Sequence, residues 1–173
     1  MTYAATVFTS AEWVVEWLWV AAVVGPLAYA YRTSTSVAMG VTVSVLLGSV
    51  VQVLWGMLAQ WGTVDVWVWY DAVLVPSRAF EPAFLHTLVT AGFLHAQNDL
   101  MHVLGNVIIL ALVGVPLEQR LGRSRFTVVY VVGLLGGSIT WVIFNSGSNI
   151  HALGASGAAF GLLGAYLSGW PKD

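Results

Sequence analysis

Three polar residues stand out in an otherwise apolar chain because their types and spacing could do chemistry. Ser156 lies in Gly154-Ala155-Ser156-Gly157 at the head of an apolar segment, and His102 and Asn106 stand four apart in an earlier one. Residues i and i+4 share a helix face one turn apart. A serine at a helix N-terminus meets free N–H groups and the positive end of the dipole, which favour the oxyanion of acyl transfer. Donors from His102 and Asn106 could complete that oxyanion site if their face turns toward Ser156. Each feature also has a plain reading. His102 and Asn106 could be interhelical hydrogen-bonding partners, and the small residues around Ser156, with Gly161 and Gly164, could simply let two helices approach.

The elements that would position these residues are membrane helices. Of 173 residues, 58% are hydrophobic and 8% charged, whereas a soluble domain carries about a quarter charged residues. Six Lys and Arg in all, and a formal net charge of −2, leave no basic stripe for phosphates, so nucleic acid is not an expected partner. The absence of cysteine removes disulfides, thiolate metal sites and cysteine nucleophiles. No metal or cofactor is expected. Because no Lys or Arg precedes Arg32, the first apolar stretch reads as a retained membrane helix rather than a cleaved signal.

A spanning helix needs about 20 mostly apolar residues. Candidates lie at 13–31, 37–60, 100–117, 126–144 and 155–170, which predicts an all-α, polytopic bundle of about five helices in a lipid bilayer. Pro26 in the first is tolerated in a membrane helix. Between the second and third lies a loop of about 40 residues, long enough to be functional, with Asp65, Asp71, Arg78, Glu81 and Asp99 among Trp67, Trp69, Tyr70 and Phe84. So many aromatic side chains suit a segment half-sunk in the interface. From Ser156 to the end of the fifth segment is about 15 residues, or roughly 22 Å, short of a hydrocarbon core of about 30 Å. A helix that starts inside the membrane needs a protein-lined or water-filled cavity around its irregular N-terminal backbone, which puts Ser156 on a cavity floor.

The run from His95 to Gly122, HAQNDLMHVLGNVIILALVGVPLEQRLG, followed by GASG at 154–157, resembles the rhomboid family of intramembrane serine proteases. The shared pattern is HxxxN in a membrane helix, a Glu followed by Arg-x-Gly at its end, then GxSG about 50 residues after the Asn. The resemblance covers roughly 37–170. It implies a partial core domain at 37–173 holding the first four core helices, with 1–36 as an extra N-terminal helix, in a multi-pass protein of the cell membrane.

By that resemblance Ser156 is the nucleophile, His102 and Asn106 assist the oxyanion together with backbone at Gly154, and Glu118, Arg120, Gly157 and Gly161 are structural. Glu118 is expected to tie down the loop that holds Arg120 and Arg123. Substrates would be transmembrane proteins cleaved near the outer surface. The family's general base is a histidine on its sixth core helix, which is not in this chain, so the chain is expected to be a piece of a longer protein. The alternative is a catalytically inactive relative that binds or escorts membrane helices. His86 and His95 are expected at the interface as half-exposed polar residues, with His95 otherwise at the cavity mouth, and His151 is the one histidine close to Ser156 in sequence.

Arg32, the cluster Arg120, Arg123 and Arg125, and Lys172 all fall on one side of a five-span topology, and cytoplasmic loops carry the excess of Lys and Arg. Cysteines introduced at Ser77 and Ser124 should therefore label from opposite sides of the membrane with an impermeant thiol reagent. Labelling from the same side would refute the five-span topology.

Overall fold

A computed structural model describes residues 10–60, 69–96 and 99–169. The expectations placed on Asp65, Trp67 and Lys172 lie outside these residues. Seven α-helices occur in the described part: α1 (Ser10–Thr33), α2 (Val37–Gln60), the single-turn α3 (Thr87–Thr90), α4 (Leu100–Leu112), α5 (Gly114–Leu121), α6 (Arg123–Phe144) and α7 (Ser156–Gly169). Among the described residues four stretches, Trp13–Thr33, Val37–Gln60, Leu100–Leu121 and Arg123–Phe144, are long and apolar enough to cross a membrane. The chain is thus a multi-pass integral membrane protein. Trp17, Leu112, Phe144 and Phe160 remain largely exposed on the helix surfaces, as suits side chains that meet lipid.

The third expected span, 100–117, is two helices that together reach Leu121. Pro116 explains the division, since it has no N–H to offer the carbonyl of Leu112 four residues earlier. Val113 joins the two parts, its N–H bonding the carbonyl of Ile109 at 2.9 Å. In α1, Pro26 removes a backbone bond in the same way without ending the helix. Nearby, the Ser44 hydroxyl of α2 donates to the Val23 carbonyl at 2.6 Å, one of the ways polar side chains satisfy backbone around a membrane proline.

Glu118 decides how α5 meets α2. Its carboxylate is buried; Oε1 accepts the N–H of Val37 at 2.8 Å, and Oε2 accepts the N–H of Ala38 at 2.8 Å and the hydroxyl of Ser36 at 2.6 Å. The carboxylate therefore caps the N-terminus of α2, where free N–H groups and the helix dipole favour an anion. The expected tie to the loop of Arg120 and Arg123 is not what it makes. Arg123 instead donates from its guanidinium to the Ala30 carbonyl at 2.7 Å, near the end of α1. Gly122, at φ 80°, makes the reversal between α5 and α6, a left-handed conformation that a side chain disfavours.

Helices α6 and α7 meet through glycines. A Cβ on Gly137 would lie 2.7 Å from the Cα of Gly157, and one on Gly161 would lie 2.7 Å from the Cα of Gly133. Each helix thus supplies a Gly-xxx-Gly pair that lets the backbones touch. Part of the long loop folds back onto the helices. Trp69, Val73 and Val75 join the main core, and Leu74 exchanges backbone hydrogen bonds with Ala152 at 3.1 and 2.8 Å. The segment before α7 is thereby pinned to the loop after α2.

Two substitutions test this packing. Gly137→Val should destabilise by about 1–3 kcal/mol or more, because the obstructing atom is backbone, whereas Gly136→Ala, which meets nothing within 4 Å, should be neutral or slightly stabilising in thermal unfolding in detergent. Glu118→Ala should cost several kcal/mol, since it leaves two buried N–H groups and a hydroxyl unmatched at about 1–3 kcal/mol each; a loss under 1 kcal/mol would show that water replaces the carboxylate.

Candidate active site

Ser156 is the first residue of α7. The ladder of α7 begins with the Ala159 N–H on the Ala155 carbonyl, so the N–H groups of the first turn have no intrahelical acceptor. The approach to Ser156 is shaped by Gly154, whose φ is +117°. Its N–H donates to the Ala91 carbonyl at 2.8 Å. A Cβ at this position would fall 2.7 Å from Cε1 and Nε2 of the His102 ring and 3.7 Å from Nδ2 of Asn106. Glycine is needed here twice over, for the backbone conformation and for the space that the imidazole occupies.

The α4 face bearing His102 and Asn106 is therefore turned toward the start of α7, as one of the two sequence readings requires. Asp99 caps α4 by accepting the His102 N–H at 2.9 Å. A cavity of 520 Å³ is lined by His102, Gly154 and Ser156 together with Trp141, His151 and Phe160. Asn106 is buried behind it. Gly157 and Gly161 lie in the α6–α7 contact, while Glu118 and Arg120 belong to α5, away from the cavity. The Ser156 hydroxyl makes no hydrogen bond to a described residue. Among the described residues no group of three His, Cys, Asp or Glu could hold a metal ion.

His95 departs from expectation. It is neither half-exposed nor at the cavity mouth but 2% exposed, at the centre of a polar cluster under the site. Gln52 brackets its backbone, accepting the His95 N–H at 2.9 Å and donating to the His95 carbonyl at 3.3 Å. Ser49 Oγ lies 3.3 Å from Nδ1. Asn106 Nδ2 lies 3.0 Å from Nε2, and the Ala155 N–H donates to the same Nε2 at 3.4 Å. The His102 ring stands edge-on at 5.2 Å between centroids. Burial, and after it the charge of His102, lowers the His95 pKa to about 4, so the ring is neutral at physiological pH. Ser49 and Gln52, three apart in an apolar helix, were the sequence signal for a buried polar partner. Outside this cluster, His86 is exposed with Nε2 2.7 Å from the Asp71 carbonyl, and His151 sets its ring edge-on to Tyr70.

A family model described as "Rhomboid domain" matches residues 82–172. Of the relatives in Arabidopsis thaliana, RHOMBOID-like protein 5 is 41% identical over 91 residues, 53% of this chain and 29% of its own length. RHOMBOID-like protein 1 is 43% identical over 81 residues, 47% of this chain and 20% of its own. Inactive RHOMBOID-like protein 8 is 35% identical over 86 residues, 50% of this chain and 23% of its own. The chain thus spans under a third of the length of these relatives. No solved structure matches significantly. With a family match over more than half its residues, and with the segments around His102 and Ser156 inside that match, the chain belongs to the rhomboid family.

Proposed function

We propose that this chain carries the nucleophile and oxyanion half of an intramembrane serine endopeptidase of the cell membrane that cleaves transmembrane protein substrates near the outer surface. Ser156 Oγ attacks the scissile carbonyl carbon. Its proton leaves to a base, and the carbonyl oxygen becomes the oxyanion. His102, Asn106 and backbone N–H groups around Gly154 and Ser156 donate to that oxygen. The observation that carries this reading is the contact of Gly154 with the His102 ring at the edge of the cavity that Ser156 lines. Such an arrangement serves oxyanion binding, which needs donors set in advance about the developing charge. Residues 37–173 act as the partial core and 1–36 as the added helix.

No metal or cofactor takes part in this scheme. The hydroxyl proton needs a general base within reach. Of the four histidines, His102 and His151 line the cavity; His102 is assigned to the oxyanion, and by family likeness the base is a histidine on a later helix. A second reading, an inactive helix-binding relative, draws on the name of Inactive RHOMBOID-like protein 8, whose match covers half of this chain.

Labelling with a fluorophosphonate separates these readings. The 173-residue chain should react negligibly, whereas a chain extended through two further helices, the second bearing a histidine, should label at Ser156 and lose the label in Ser156→Ala. In that extended chain Asn106→Ala should lower turnover about 10²–10³-fold, as removal of one oxyanion donor does. Strong labelling of the short chain, abolished by His151→Ala, would make His151 the base. No labelling of a folded extended chain would favour the inactive reading.

A further inference from the structure

The polar cluster beneath Ser156 has a hydrogen-bond direction that can be followed atom by atom. The starting point is the backbone N–H of Ala155, which can only donate. Its partner, His95 Nε2 at 3.4 Å, must therefore be the bare, accepting nitrogen, because a protonated nitrogen would set two N–H groups against each other. In a neutral imidazole the proton then sits on Nδ1. At that end the Ser49 hydroxyl donates to the Val45 carbonyl at 2.8 Å, which uses its only proton. Ser49 Oγ, 3.3 Å from Nδ1, is left to accept. The backbone donor at one end and the committed serine at the other thus require the same tautomer.

That tautomer has a consequence for Asn106. Amide oxygen and nitrogen are told apart by their hydrogen-bond partners, and a bare Nε2 at 3.0 Å calls for the NH₂. The same Nδ2 lies 3.7 Å from the point where a Cβ on Gly154 would stand. An amide turned the other way would put its oxygen there, an acceptor facing the place where negative charge develops.

We propose that His95 is a positioning residue: held as the Nδ1–H tautomer by Ser49, it takes the Asn106 amide and the Ala155 N–H on Nε2 and so presents the NH₂ of Asn106, not its oxygen, toward Gly154 and the start of α7. His95 touches no substrate in this role and acts through Asn106 and Ala155. Gln52 fixes the height of the ring by holding the His95 backbone from both sides. His102 is the titratable group whose ring meets it. The tautomer stands on the geometry of this chain alone. Its consequence for catalysis rests on the proposed reading of Ser156 as a nucleophile.

Two measurements test the two halves separately. Nitrogen-15 NMR of the 173-residue chain in detergent, with ring-labelled histidine assigned through His95→Gln, should show His95 with a protonated Nδ1 and a bare Nε2 at pH 7–8, and a coupling from Nε2 to the Asn106 side-chain nitrogen. A protonated Nε2, or a ring exchanging between tautomers, would overturn the proposal whatever the enzyme does. In the extended chain, fluorophosphonate labelling of Ser156 should fall about 10²-fold in His95→Leu, which has no acceptor, the size of effect expected for a lost oxyanion donor. His95→Gln offers an acceptor near Nε2 and should stay within about tenfold of the parent. Equal losses in two variants of parental thermal stability would reduce His95 to a packing residue and overturn the proposal. If the parent extended chain does not label at all, the nucleophile reading fails, and the NMR result alone decides the tautomer.

Discussion

Backbone groups buried in a membrane protein must find partners inside the protein, because lipid offers none. The start of α7 is where this requirement is hardest to meet. A helix of 14 described residues, about 21 Å long, begins after an irregular segment whose donors would otherwise be unmatched. The Gly154 N–H goes to Ala91 and the Ala155 N–H to His95. Each partner lies in the stretch between α3 and α4, so the loop before α4 and the start of α7 must be held at a set distance. The glycine contact between α6 and α7 and the Leu74–Ala152 pairing hold α7 and the segment before it from two further sides.

The site is made of residues with unequal freedom. His102 and Ser156 line the cavity, whereas Asn106 and His95 are buried behind it. Burial makes the hidden pair directional. A buried donor left without an acceptor costs about 1–3 kcal/mol, which is enough to select one tautomer and one amide orientation. Ser49 and Gln52 extend this control into α2, far from the cavity in sequence. On the proposed reading of Ser156 as a nucleophile, preorganisation of that kind would serve oxyanion binding in place of rearrangement during the reaction.

At the other end of the helices, Glu118 replaces a local cap with a distant one. Its two oxygens serve Ser36, Val37 and Ala38, 80 or more residues earlier. The start of α2 thereby depends on α5, and α5 is a separate helix because Pro116 cannot continue the hydrogen-bond ladder of α4. Arg123 adds a second connection, from α6 to the last turns of α1. One end of the bundle is thus fixed by charge and backbone, and the other by glycine contacts and the polar cluster.

Composition and apolar run lengths were sufficient to show a polytopic helical protein, because bilayer thickness demands apolar segments whose length can be counted along the chain. The spacing of His102, Asn106 and GASG was sufficient to single out the candidate site. Neither could show that the face bearing His102 turns toward Gly154 rather than toward another helix, since helix rotation is set by side-chain packing. The break at Val113 is legible in Pro116, although the apolar run around it is otherwise continuous. Ser49 and Gln52 signal a buried polar partner, but that this partner is His95, and where the Glu118 carboxylate goes, were not legible, because both depend on contacts 43 to 82 residues apart. What the residues determined was which groups could do chemistry; tertiary structure alone decided which of them meet, because hydrogen bonds are fixed by distance and direction in space rather than by order along the chain.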